Sequence, residues 1–240
     1  MRNLKLLSSR KAYEFAPDTL RLTLTSMKPV LEHIKNSFSF QMAALGTPIP
    51  TFGAIPATLP PGIAFNLGAI QSAEGTLVPI RFLHFEPARI VIDVAGPSAV
   101  CGGVYDALLH ILEDLKASDG SPTIGEPQRI LDASEFSFEL DCASTAFIPV
   151  GIRGLAEELL RQQKHIAPEA QLVAALRLHL QMPDEAFPGS APNPDPFGLQ
   201  LDLRASSKPK DRQYYSNAPV DSDYHLAYLK HLATMLSGGN

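Results

Sequence analysis

The segment Arg89–Leu115 reads RIVIDVAGPSAVCGGVYDALLHILEDL. It contains residue types that could bind an anion or act as a nucleophile, and they lie directly before or at the start of a helical pattern. Free backbone N–H groups and the positive end of the helix dipole favour an anion at the start of a helix. The segment Gly96–Gly103 is therefore a candidate anion or ligand loop. Its binding residues would be Gly96, Ser98, Cys101, Gly102 and Gly103.

This loop does not match the known phosphate-binding sequences. A P-loop places four residues between its first glycine and Gly-Lys-Ser/Thr, whereas five residues separate Gly96 from Gly102 and no lysine follows Gly103. The dinucleotide fingerprint needs a second glycine where Ser98 stands. The favoured interpretation is that the two adjacent glycines shape a turn and start a helix, which the pattern predicts over Val104–Lys116.

The thiol of Cys101 lies just before this predicted helix, where the helix dipole lowers a thiol pKa. A nucleophile also needs a base within reach, and His110 lies nine residues further on, inside the helix. A small buried cysteine is therefore favoured, and Cys142 falls in the apolar phase of a strand. His84 and His179 stand in apolar contexts and are predicted to be core or boundary residues. No catalytic residue is predicted.

A second group of reactive side chains is the run DSDYH, Asp221–His225. Two carboxylates and an imidazole can bind a divalent metal. Helix capping explains the same residues more simply, because Asp221 or Ser222 can cap the last helix and Asp223 suits its dipole. The sequence therefore predicts neither a metal site nor a cofactor.

The elements that would position these residues indicate an α+β fold. Two apolar runs, GIAFNLGAIQ and TLVPIRFLHFE, predict strands joined by the turn SAEG, and ARIVIDV follows closely enough for a tight hairpin. Their apolar character on both faces is typical of central strands. The run SEFSFELDCAS alternates, which predicts one packed and one solvated face. Hairpin, helix and strand in this order predict a mixed or mainly antiparallel sheet with helices packed on one face.

With the remaining segments, the chain is predicted to form one compact domain that consists of three parts. Residues 1–62 hold a strand over Thr19–Ser26, a helix and a proline-rich connection, Thr47–Gly62. Residues 63–150 hold the central sheet. Residues 151–240 form a C-terminal helical part: a helical hairpin from GIRGLAEELLRQQKHI and PEAQLVAALRLHL, an exposed proline-rich loop over Met182–Gly198, and a last helix over about Ser222–Ser237.

The last helix has two apolar stripes where a surface helix needs one. The first consists of Leu226, Leu229, Ala233 and Leu236, and the second of Tyr224, Tyr228, His231 and Met235. Tyrosine and methionine are favoured at interfaces, so the second stripe is a candidate interface for self-association or a protein partner. The alternative is that the helix is deeply inserted in its own domain.

Composition is that of a globular protein, with 45% hydrophobic and 19% charged residues and a net charge of −5. The first 40 residues carry seven Lys or Arg against three Asp or Glu. This excess is more typical of a solvated face than of nucleic-acid binding, which needs a clustered basic stripe. No run is long and apolar enough for a membrane span, and Arg10 and Lys11 interrupt any signal-peptide core. A soluble cytoplasmic protein is expected.

These observations favour a non-catalytic cytoplasmic protein that acts through protein–protein contacts as an assembly, adaptor or sensing subunit. The alternative is an enzyme or a small-molecule or anion-binding domain centred on Gly96–Gly103. A third hypothesis, nucleic-acid binding through the basic N-terminal 40 residues, requires those cations to converge on one face.

Overall fold

The computed structural model describes residues 1–16, 24–45, 63–72, 74–86, 88–113, 124–142, 147–148, 150–164, 174–180, 197–204 and 212–238. Within these residues the chain forms nine strands and four helices. The strands are β1 (Arg2–Glu14), β2 (Met42–Leu45), β3 (Ile63–Gln71), β4 (Leu77–Glu86), β5 (Arg89–Val94), β6 (Arg129–Glu139), β7 (Leu176–Leu180), β8 (Phe197–Leu203) and β9 (Gln213–Ala218). The helices are α1 (Leu24–Ser37), α2 (Ser98–Glu113), α3 (Val150–Lys164) and α4 (Ser222–Gly238).

The strands are hydrogen-bonded in the order β2-β3-β4-β5-β1-β6-β9-β8-β7. The pairs β2–β3, β3–β4, β4–β5, β5–β1, β7–β8 and β8–β9 are antiparallel. The predicted β4–β5 hairpin is tight, because Glu86 pairs with Arg89 at its closed end. The prediction of an α+β protein with a mainly antiparallel sheet is confirmed.

The chain divides into two compact units. Unit 1 consists of Met1–Leu7, Glu135–Pro219 and Tyr224–Asn240, and unit 2 consists of Ser8–Ser134 and Val220–Asp223. Strands β1 and β6 and helix α4 each contribute a part to both units. Each unit is therefore built from segments that are distant in the sequence.

Unit 2 has a core of large apolar side chains from its strands and from α1 and α2. Alternate residues of β5, Ile90 and Ile92, are fully buried in it together with Ile34 of α1 and Leu108 of α2. The intervening residues of β5 are buried as well, with Asp93 fully inaccessible. Strand β5 is thus buried on both faces, whereas the first half of β4, residues 77–81, alternates between exposed and buried positions.

Unit 1 has a separate core. Its fully or nearly fully buried members are Phe136, Phe138, Leu140, Leu201, Tyr214 and Leu229. The rings of Phe138 and Tyr214 stack with centroids 6.1 Å apart, and Phe147 meets Tyr214 edge-on at 5.8 Å. Leu226, Leu232 and Leu236 of α4 pack against the same cluster, so the first apolar stripe of this helix faces the core of its own unit.

Several elements differ from the sequence prediction. Leu176–Leu180 is strand β7, antiparallel to β8, where the second helix of a hairpin was predicted. Gln213–Ala218 is strand β9 with alternate residues buried, and the sequence analysis did not predict a strand there. The N-terminal strand is Arg2–Glu14, whereas the residues of the predicted strand Thr19–Ser26 belong to α1 from Leu24 onward.

Burial and element bounds also depart from the predictions in places. Glu135 and Ser137 of β6 are buried, so this strand lacks the predicted solvated face. Helix α2 begins at Ser98, six residues before the predicted start. The proline-rich connection lies outside the described residues, as do residues 182–196 of the predicted exposed loop, but Phe197 and Gly198 of that loop begin β8.

Candidate functional site

The segment Gly96–Gly103 does not form an open loop. Gly102 and Gly103 lie inside α2, on its fifth and sixth residues, and no atom lies within 4 Å of the position that a Cβ would take at either one. Gly96 lies between β5 and α2, where a Cβ would stand 2.8 Å from Cγ1 of Val78. Its lack of a side chain therefore allows close packing against β4.

The start of α2 is engaged by another part of the same unit. The Ser98 N–H donates to Oγ of Ser222 at 3.1 Å, and the Ser222 N–H donates to Oγ of Ser98 at 2.9 Å. Both serines are buried, and they are the first residues of α2 and α4. Each helix thus satisfies one of the N–H groups that the other leaves without an intrahelical acceptor. Ser98 is therefore occupied in a cap.

A helix interior is an unfavourable place for glycine, so we expect Gly103→Ala to stabilise the protein. Alanine lowers the conformational entropy of the unfolded chain and is favoured in helices by about 0.5–1 kcal/mol. Urea unfolding followed by circular dichroism measures the change. Gly68→Ala is the matched control and should destabilise, because its Cβ would stand 2.5 Å from the Phe40 ring and 2.8 Å from the Phe38 carbonyl oxygen. The interpretation would be wrong if an added anion stabilised the unmodified protein and the Gly103→Ala change removed that stabilisation.

The Cys101 thiol is fully buried and lies 3.5 Å from the carbonyl oxygen of Ser9 and 3.8 Å from that of Ile92. Burial raises its pKa to about 12, and the nearby carboxylates of Asp93 and Asp132 add to the increase, while Lys11 opposes it. The thiol therefore stays protonated at neutral pH. This is the opposite of the lowered pKa that a nucleophile at a helix start requires.

Alkylation should distinguish the two cysteines of the native protein. We expect iodoacetamide at pH 8 to modify Cys142, which is only partly buried, and to leave Cys101 unmodified until the protein unfolds. Peptide mass spectrometry before and after addition of guanidinium checks both sites. Alkylation of native Cys101 at the rate of a free thiol would reinstate it as a reactive group.

The residues of the run DSDYH have separate roles in the fold. Oδ1 of Asp221 accepts a hydrogen bond from the Asp223 N–H at 2.8 Å, which caps α4. The imidazole of His225 is fully buried, 2.8 Å from Oγ of Ser216, and meets the Phe136 ring edge-on at 4.9 Å. A serine–histidine contact can activate a serine, but both side chains are inaccessible to a substrate, so the pair joins β9 to α4 within unit 1.

The strongest charge cluster lies on three neighbouring strands of unit 2 and was not predicted. Arg10 and Phe82 are the cross-strand partners of Asp93, so the three side chains share one face of the sheet. The guanidinium of Arg10 donates from Nε and Nη2 to Oδ2 of Asp93 at 3.1 and 2.9 Å and lies 4.8 Å from the centre of the Phe82 ring. Burial raises the pKa of Asp93, while Arg10 and Arg81 act in the opposite direction.

A β-bulge brings the second arginine to this carboxylate. Ile80 pairs with Val94 and Phe82 pairs with Asp93, so Arg81 is the extra residue on β4. Its Nε lies 3.4 Å from Oδ1 of Asp93, and its side chain is half exposed. Bulges commonly redirect a side chain in this way, so the two arginines approach the carboxylate from different strands.

A second ionic group follows on the same face of β4. The Glu86 carboxylate accepts hydrogen bonds from Arg89 at 2.9 and 3.2 Å, and Oε1 lies 3.4 Å from Nδ1 of His84. Burial alone would raise the pKa of Glu86, but the contacts with His84 and Arg89 lower it. His84 is buried, and neither ring nitrogen makes a hydrogen bond to a described residue. This cluster stabilises a buried sheet face and offers no exposed acid–base pair.

The predicted interface residues of α4 are exposed. Tyr224, Tyr228 and Met235 are 65%, 50% and 62% exposed, and His231 is exposed beside them. Their neighbour Leu229 is fully buried. The alternative of deep insertion in the helix's own domain would bury both stripes, whereas here the second stripe faces away from the core of unit 1.

A second helix of unit 1 exposes an apolar stripe that the sequence analysis did not single out. Ile152, Leu155 and Leu159 of α3 follow spacings of three and four residues and are 54%, 74% and 54% exposed. The charges beside this stripe pair within the helix, because Arg161 donates to both carboxylate oxygens of Glu158 at 2.9 and 2.8 Å. The spacing of three and four residues is the sequence signal from which this stripe could have been predicted.

The basic N-terminal residues are partly engaged by acids. Arg10 pairs with Asp93, and Nζ of Lys11 lies 2.6 Å from Oδ1 of Asp132. Arg2 and the N-terminal amine both contact the carboxylate of Asp141. These pairs reduce the positive charge that a phosphate backbone would meet.

In comparisons with known proteins, no protein-family model matches the chain, and no curated protein matches it. Within the described part of the chain, no cluster of three histidine, cysteine, aspartate or glutamate residues could hold a metal ion. None of the described helices has both the length and the apolar character needed to cross a membrane.

Proposed function

We propose that the protein is a non-catalytic binding protein that engages another polypeptide through the exposed helix faces of unit 1. It would act as an assembly, adaptor or sensing subunit in the cytoplasm. In this proposal the helices of unit 2 pack on one face of its sheet, where they stabilise the fold and do not bind the partner. The observation that carries the proposal is that α3 and α4 together expose six large apolar side chains at helical spacing.

The energetics of these side chains support the proposal. Burying one large apolar side chain from water gains about 1.5–3 kcal/mol, so six of them offer a substantial driving force for association. Tyrosine and methionine, which make up the α4 stripe, are enriched at interfaces. Each of the six is at least half exposed, so each leaves apolar surface available to a partner.

The alternative hypotheses receive less support from the described residues. Ser98 is capped by Ser222, the two glycines lie inside α2, and the pKa of Cys101 is raised. These features disfavour an anion loop or a thiol nucleophile at Gly96–Gly103. The acid pairs at Arg2, Arg10 and Lys11 disfavour nucleic-acid binding.

Photo-crosslinking tests the proposed function directly. We expect p-benzoylphenylalanine placed at Tyr228 or Leu155 to form discrete covalent adducts with a polypeptide in the expressing cell. Leu77 is the matched control, because it is 69% exposed and belongs to a strand of unit 2. Mass spectrometry identifies the crosslinked chain. If both helix positions give no adduct above the Leu77 background, the proposed function is wrong.

A further inference from the structure

Helix α4 carries charges in a pattern that matches a second copy of itself. Asp223 and Lys230 are both exposed and lie seven residues apart. Seven residues are two helical turns, so these charges share one flank at a separation of about 10.5 Å along the axis. Between them, Ala227 is exposed and small, with Tyr224 and Tyr228 beside it.

We propose that α4 pairs with α4 of a second copy in antiparallel orientation, about a two-fold axis that passes beside Ala227. This inference rests on the proposed function and names its partner. The axis brings Asp223 of each copy opposite Lys230 of the other, so that two ion pairs form. The tyrosines pack on either side of the alanine.

The charge order favours this partner and this orientation. A two-fold interface is isologous, so an acid and a base on one flank satisfy each other only when the helices run in opposite directions. A parallel arrangement would place Asp223 beside its own copy, which is unfavourable. Antiparallel helices also align their dipoles favourably. Beside the α3 stripe, by contrast, Glu158 and Arg161 pair with each other within the helix.

Charge reversal tests the pairing through the mass of the particle. We expect sedimentation velocity of the full chain to show a concentration-dependent dimer of the 26.0 kDa protein. Asp223→Lys and Lys230→Asp should each weaken dimerisation about tenfold or more, because each change creates two repulsive pairs. The double variant Asp223→Lys/Lys230→Asp should restore the original affinity.

Mixing the two single variants provides a second measurement that does not depend on the double variant. In the mixture, both ion pairs of a heterodimer are attractive, so native mass spectrometry should show the heterodimer in excess over either homodimer. Glu74→Lys and Lys35→Asp are the controls for charge, since they make the same changes of charge outside α4. Circular dichroism of each variant establishes that α4 is folded.

Three results would overturn the inference: a monomer at every accessible concentration, a dimer insensitive to both charge reversals, or no recovery in the double variant and the mixture. A different experiment tests the proposed function, which requires only that Tyr228 or Leu155 forms a crosslink to some polypeptide. Crosslinks to a different chain, together with a monomer in sedimentation, would keep the function and remove the second copy as the partner.

Discussion

Arg10→Met is expected to lower the free energy of unfolding by about 3–5 kcal/mol at neutral pH, because it leaves a buried carboxylate without its main partner. Arg10 supplies two hydrogen bonds to Asp93, whose side chain is fully inaccessible. Methionine keeps the apolar stem of the arginine beside Phe82 but removes the charge. Arg81 remains at 3.4 Å, yet it is half exposed and its attraction is screened by solvent.

The pH dependence of this loss has a definite sign. Burial already raises the pKa of Asp93 in the folded protein, and removing Arg10 raises it further. A carboxyl whose folded pKa is raised stabilises the fold at pH values below its unfolded pKa and loses this contribution as the pH rises through the folded pKa. The difference between the variant and the unmodified protein should therefore shrink as the pH falls toward and below about 4.

Guanidinium unfolding over a pH series measures the free energy of unfolding of Arg10→Met and of the unmodified protein. Two further variants serve as controls. Arg161→Met removes the same side chain from the exposed pair with Glu158 and should leave the free energy of unfolding almost unchanged, because solvent screens that pair. Arg10→Met combined with Asp93→Leu removes both charges and should recover most of the lost stability. If the double variant is as unstable as Arg10→Met, packing rather than the stranded carboxylate explains the loss.

Leu229→Ala and Tyr228→Ala are expected to separate the two faces of α4. Leu229 is fully buried in the core of unit 1, so its truncation should cost about 2–5 kcal/mol. Tyr228 is half exposed, and its truncation should change the stability by less than about 0.5 kcal/mol. Chemical unfolding at low protein concentration, where association contributes least, measures both values.

The same pair of variants decides between an exposed stripe and deep insertion. A cost for Tyr228→Ala close to that for Leu229→Ala at low concentration would mean that both faces of the helix stabilise its own unit. A cost for Tyr228→Ala that appears only as the protein concentration rises would instead be the signature of association, since self-association stabilises the folded state by mass action.

Sequence periodicity predicted the apolar elements well and the polar ones poorly. Strands β3, β4 and β5 and helix α4 have strong periods and lie close to the predicted positions. Strand β1 was missed because it carries the adjacent charged residues Arg10 and Lys11. Both look like solvated residues until their contacts with Asp93 and Asp132 are known. A buried charge whose partner is distant in the sequence cannot be recognised from the residues around it.

Strand β7 was predicted as a helix because two periods fit the same residues. Leu172, Val173, Leu176 and Leu180 follow a helical spacing, while Leu176, Leu178 and Leu180 alternate as in a strand. Pairing with β8 decides between them, and that pairing is not local. The capping of Ser98 has no local signal either, since its partner Ser222 lies 124 positions away in the sequence.

The interleaving of the two units has a consequence for synthesis of the protein on the ribosome. Unit 2 uses Val220 to accept a hydrogen bond from Ser134 and Ser222 to cap α2, so its last pieces emerge long after Ser134. Translation at about 5–20 residues per second leaves a delay on the order of ten seconds. During this time the nascent unit 2 is incomplete and should be sensitive to limited proteolysis of stalled chains. Unit 1 waits longer, because Ser8–Ser134 separates its first segment, Met1–Leu7, from its second. Its last segment, Tyr224–Asn240, follows the residues that complete unit 2.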